Sequence, residues 1–171
     1  VPLDTFGPFR VKHGDLSVTA DSNRLVIAPA KNSDENMAKA LKLALVALTS
    51  LPETPVSAAG FNFKYKSKQL VESLARIVEH DADQFFADRQ YSVLSRAIGR
   101  TIKWRQGEIR LSVIQESDFS CTILINFHMA SSSASVLHDW LSVSIDDARQ
   151  EIDTIFFNYL EIPEGEISHA E

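Results

Sequence analysis

Glu79-His80-Asp81-Ala82-Asp83 sets an imidazole among three carboxylates, the donor types that hold divalent cations. A working site needs three or four converging ligands, and His13, His128 and His138 share no ligand spacing with this run or with each other. His128 falls in a strand pattern and His138 in a helical one, so no metal or other cofactor is expected. Cys121 is the single cysteine, which excludes an internal disulfide. It sits at an apolar, inward position of its strand, where a thiol behaves as a small hydrophobe; a nucleophilic thiol needs access and a base or positive helix end. The serines of Ser131-Ser132-Ser133-Ala134-Ser135 lie where a helix begins, and no G-x-S-x-G turn surrounds any of them, so capping accounts for them. The six glycines form no phosphate-cradling loop. Asp146, Asp147 and Glu151 could act as paired acids, but carboxylates at a helix start are favoured by the helix dipole alone. No catalytic residue is expected.

The stretch Ala59 to Ser67, AGFNFKYKS, interleaves aromatic rings with lysines. Gly60, Phe61 and Phe63 match part of the octamer with which an RNA-binding sheet stacks bases. That use would turn Phe61 and Phe63 outward and drive Lys64 and Lys66 into the core. Burying an unpaired ammonium costs several kcal/mol, while burying an aromatic side chain gains about 1.5–3 kcal/mol. Both effects put Phe61, Phe63 and Tyr65 inside and the lysines outside.

Strand parity extends the argument. Ile102 and Trp104 face in, as do Ile109, Leu111 and Val113, and then Cys121, Ile123, Ile125, Phe127 and Met129. If these strands share a sheet, its outer face carries Lys64, Lys66, Lys103, Arg105 and Arg110 against Glu108. Such a face discourages edge-to-edge aggregation. It also suits an anionic ligand, a nucleic acid, or an acidic partner surface such as the C-terminal region of the same chain.

The elements that must position these residues follow from periodicity and turn chemistry. Phe9 to Ala30 reads as short strands separated by turns at His13-Gly14-Asp15 and Ala20-Asp21-Ser22-Asn23. Asn32 and Glu35 form a candidate capping box for a helix with Met37, Leu41, Ala44, Leu45 and Leu48 on one stripe, stopped by LPETP. A strand is expected from Val56 to about Lys66, then a helix bearing Leu70, Leu74, Ile77 and Val78. The spacing predicts a third helix from Gln84 through Leu94 to Ile98, closed by Gly99. TIKWR and EIRLSVIQ pair through a turn at Gln106-Gly107, and SCTILINFHM supplies a further strand. Helical pattern returns after Ser133, breaks near Ser144, and continues with Ile145, Ala148, Ile152, Ile155, Phe156 and Tyr159 on the buried side. The expected fold is α+β: a mostly antiparallel sheet with helices packed on one face, a single domain over 1–171 with an acidic helical region at about 133–162 and a short tail at 163–171.

Composition is that of a globular chain, 44% hydrophobic and 23% charged. No apolar run reaches the roughly 18 residues of a membrane span, and VPLDTFGPFR lacks the basic start and apolar core of a secretory leader. With one cysteine, a cytoplasmic setting is expected. From Asp139 onward nine acids stand against Arg149 alone, net −8, so residues 1–138 carry +2 of the overall −6. The function expected is a non-enzymatic protein–protein interaction or assembly module, a homo-oligomer or one subunit of a larger assembly. A binding domain for an anionic ligand or nucleic acid on the basic sheet face is the alternative, and an enzyme with a dispersed site the third.

Overall fold

The computed structural model describes residues 8–31, 33–50, 54–67, 72–118, 120–142, 145–162 and 168–169. Among these residues two antiparallel sheets and five α-helices make it an α+β protein, and contacts divide the chain into two compact units.

The first unit comprises residues 1–57, 131–146 and 171. Its sheet is a meander of β1 (Phe9–His13), β2 (Leu16–Ala20) and β3 (Leu25–Pro29), with β2 in the middle. Gly14 supplies the left-handed conformation (φ 56°) of the first turn. In the second, Asp21 Oδ1 accepts the amide N–H groups of Asn23 and Arg24, both at 2.9 Å, the local bonding for which Asp is favoured in turns. Helix α1 (Asp34–Ser50) is capped by Ser33, whose Oγ accepts the Asn36 amide at 3.2 Å. Glu35 meanwhile pairs with Lys39 at 2.7 Å. The expected cap Asn32 lies outside the described residues, as does part of LPETP. Helix α4 (Ala134–Leu141) packs on α1, and Ser133 Oγ caps it by accepting the Val136 amide at 3.4 Å.

The second unit, residues 58–130 and 147–170, is built on a five-stranded sheet. Its strands are β4 (Ala58–Ser67), β5 (Arg96–Trp104), β6 (Gly107–Gln115), β7 (Cys121–Ala130) and β8 (Ser168–His169), in the spatial order β5-β6-β7-β4-β8. Burial alternates strictly along β4 and β7, as parity requires. Phe61, Phe63, Tyr65, Ile109, Leu111, Val113, Ile123, Ile125 and Phe127 are all buried. Phe61 stacks on its register partner Phe127 with centroids 4.6 Å apart, and Trp104 meets Phe127 edge-on at 4.8 Å. Gly60 crosses β7 where a Cβ would strike the Phe127 carbonyl oxygen, so only glycine fits there.

Helix α2 (Glu72–Val78) packs along β5 and β6 and buries Leu74 and Val78. Helix α5 (Ile145–Thr154) runs into a π-helical turn (Ile155–Tyr159). From these, Phe156 meets Tyr65 edge-on at 4.8 Å, while the Arg149 guanidinium donates to Tyr65 Oη at 2.7 Å and lies 4.9 Å from the Phe63 ring centre. This layer lies on the aromatic side of the sheet, the side from which the lysines point away.

Three expectations change. The third helix is only α3 (Ala82–Ala87), and Arg96 to Gly99 belong to β5. Leu94 and Ile98, four apart, imitate a helical face, yet the β5–β6 hairpin continues pairing back to Arg96↔Gln115, so the long ladder prevails over local spacing. The strands form two sheets rather than one, because the first three close on themselves through short turns before α1 intervenes. Part of the tail is the short strand β8, pairing with Tyr65 and Lys66. Ser144, the expected second cap, lies outside the described residues.

Candidate functional site

The register fixes where each expected cation stands. Successive rows across the outer face read Lys103, Glu108, His128, Gly60; then Thr101, Arg110, Asn126, Asn62; then Gly99, Ser112, Leu124, Lys64; then Ala97, Ile114, Thr122, Lys66. Lys64 and Lys66 therefore occupy one corner and Lys103 the opposite one. At roughly 4.8 Å per strand and 3.3 Å per residue, about 20 Å of sheet separates Lys64 from Lys103. That exceeds the physiological screening length of about 8 Å. Between them Asn126 Nδ2 donates to Asn62 Oδ1 at 2.6 Å.

The remaining cations have carboxylate partners. Arg110 holds Glu108 at 2.6 Å. Arg105 is not on the strand at all: it sits in the β5–β6 turn at φ 53°, with its guanidinium 4.7 Å from the Trp104 ring centre and 3.2 Å from Asp147. It thus reaches the acidic C-terminal helix of its own unit. Asp118 is held below the usual carboxylate range chiefly by the Ser120 hydroxyl and amide, with Lys66 adding a smaller attraction. The structure does not bring the five residues into one positive field. What the face does contain is an open depression of about 360 Å³ lined by Gln106, Gly107, Glu108, Arg110, His128 and Ala130. Its arginine is already neutralised by a carboxylate, so it offers hydrogen bonds rather than net charge.

A different surface stands out in the first unit. Phe9, Val11, Val18, Ala20, Leu25 and Ile27 share one face of the three-stranded sheet, as the pairs Phe9↔Ala20, Val11↔Val18, Val18↔Ile27 and Ala20↔Leu25 dictate. Phe9 is 68% exposed, Leu25 47% and Val11 43%. Apart from His13 at one end, no ionisable side chain stands on that face. The reverse face carries Arg10 and Lys12, with Arg10 Nε donating to Ser17 Oγ at 2.9 Å. Of the other cations in residues 9–31, Arg24 is paired with Asp21 at 2.9 Å.

No protein-family model, curated protein or solved structure matches this chain. The assignment of a site therefore rests on the residues themselves.

The other chemically suggestive groups have structural partners. His80 Nδ1 accepts the Ala82 amide at 3.0 Å, and Asp83 binds Arg96 Nε at 2.6 Å. This contact, followed by its charge, lowers the Asp83 pKa. Among the described residues no three His, Cys, Asp or Glu side chains cluster closely enough to hold a metal ion. Cys121 is fully buried, and burial pushes its thiol up to about 11, the opposite of what a nucleophile requires. The apolar N-terminal face was not among the residues selected from sequence. Its signal was LVIAP, a strand with no polar residue to turn toward water, which a sheet buried on both sides would equally produce.

Proposed function

We propose that the protein is a protein–protein interaction module whose docking surface is the apolar face of β1, β2 and β3. The observation that carries this reading is the exposure of Phe9, Val11 and Leu25 around Val18 and Ala20 on a face without acids, lysines or arginines. Contiguous exposed apolar side chains rimmed by polar ones mark interaction surfaces in water-facing proteins. The partner such a face fits is a protein surface with an apolar centre and a polar border.

A photo-cross-linking residue placed at Phe9 tests the proposal in cells that make the protein. Adducts of defined mass are expected from position 9 and not from Thr101, on the outer face of the larger sheet. Val11→Asp should abolish them without altering the far-ultraviolet spectrum. An absence of adducts at position 9, or the same adducts from position 101, would overturn the reading.

A further inference from the structure

The open edges of the two sheets differ in how they are guarded. Edge strands resist pairing with other chains when they carry charge. β1 carries Arg10, Lys12 and His13, and β5 carries Arg96, Arg100 and Lys103. β3 reads Leu25-Val26-Ile27-Ala28-Pro29 and has no charge on either face. Among the described residues no strand pairs with its outer edge. Pro29 blunts only the last position, removing at most one ladder bond. Val26 is 42% exposed although it points to the side opposite Phe9, so a partner on the apolar face would leave it uncovered.

We infer that β3 is a self-association edge, and that a second copy of this chain adds its own β3 antiparallel across a two-fold axis through Ile27. In that register Ile27 faces Ile27 of the second copy, Val26 faces Ala28, and Leu25 faces Pro29. Every cross-strand pair is apolar, and Val26 gains the neighbour it lacks. The same operation on β1 would set Arg10 against Lys12, a like-charge pair directly opposite. Sliding the β3 pairing by two residues shortens the apolar ladder and puts Lys31 opposite Leu25 or Arg24 opposite Ala28. Charge thus selects both the edge and the register. The product is a closed pair, since an isologous contact uses the same patch on both copies. Its six-stranded sheet runs β1-β2-β3-β3-β2-β1 and doubles the apolar face. The inference stands on the edge, not on the face, and does not depend on the proposed docking function.

Sedimentation of the full chain over a concentration series is the test, with cross-linking as its second arm. A monomer–dimer equilibrium is expected; Ile27→Lys should raise the dissociation constant about tenfold or more by forcing two ammonium groups together, and Lys12→Glu should leave it unchanged. Under oxidation Ile27→Cys should form a disulfide-linked dimer. Leu25→Cys should not, because its two copies would lie about 13 Å apart along the ladder, beyond disulfide reach. The cysteine variants keep the inference testable if the lysine variant fails to fold, and buried Cys121 does not compete. A chain that stays monomeric, cross-links equally at positions 25 and 27, or grows past the dimer through β1–β3 pairing would overturn it. Phe9 adducts from a chain that stays monomeric would sink self-pairing and leave the docking proposal standing.

Discussion

Phe63 and Lys64 are neighbours in sequence with opposite environments. Phe63 is 3% exposed between Phe61, Phe127 and the Arg149 guanidinium, whereas Lys64 faces outward. Phe63→Ala should therefore cost about 3–5 kcal/mol in chemical denaturation, the usual figure for emptying a buried aromatic site. Lys64→Ala should change stability by less than about 0.5 kcal/mol, as for most surface substitutions. Cys121 gives a second test at this scale. With its thiol raised to about 11 by burial, it should resist a thiol-specific reagent at pH 8 in the native protein and react once denaturant unfolds the chain. Rapid labelling without denaturant would contradict its placement on the inward side of β7.

At the level of elements, the β4–β7 ladder depends on close backbone approach at Gly60. An alanine there would press its Cβ into the Phe127 carbonyl, and neither backbone can yield without disturbing the ten-residue pairing. Gly60→Ala should lower stability by about 1–3 kcal/mol, the range for overpacking, readable from a denaturation midpoint. Helix α5 and its π-turn form the other dependence. Ala148, Ile152, Ile155, Leu160 and Ile162 are buried, so ending the chain at Ser144 should uncover the aromatic side of the larger sheet. That variant is expected in the insoluble fraction. A soluble, cooperatively unfolding product would refute the assigned packing.

At the scale of the whole molecule, several of the described acids have local cationic partners. The C-terminal segment that carries net −8 meets cations within its own unit, Asp147 at Arg105 and Glu161 at Arg76, 3.2 and 3.5 Å away. Asp21, Asp83 and Asp118 all have folded values below the ordinary 3.8, through hydrogen bonds from Asn23, Arg96 and Ser120 respectively. A depressed carboxyl contributes stability that is complete above its unfolded value and is lost as pH falls through the folded one. The stability of the protein should therefore decline as pH drops below 3.8. Asp83→Asn should make the decline shallower by removing one of these groups. An unchanged acid profile would mean that the Asp83–Arg96 contact contributes nothing to folding. Asp118 is exposed whereas Asp21 and Asp83 are half-buried, so added salt should weaken the contribution of Asp118 most.

Sequence alone determined the α+β class, the inward set on β4, β6 and β7, the turns at Gly14 and Asp21, and the Ser133 cap. These follow from period-two alternation, the cost of burying Lys64 or Lys66, and side-chain-to-backbone bonds within a few residues, all local quantities. It could not determine that Arg96 to Gly99 join a strand, since Leu94 and Ile98 fit a helix equally well until β6 supplies the ladder. Nor could it place the basic residues. Parity names the side of the sheet on which Lys64, Lys103 and Arg110 stand, but the distance between them depends on strand order, and β6 and β7 separate β5 from β4. Arg105 escaped parity because a left-handed turn residue obeys no strand alternation. The open apolar face and uncharged edge of β1–β3 were likewise decided only by tertiary structure: whether LVIAP is buried or bare depends on which elements pack over it, and no residue within the strand encodes that.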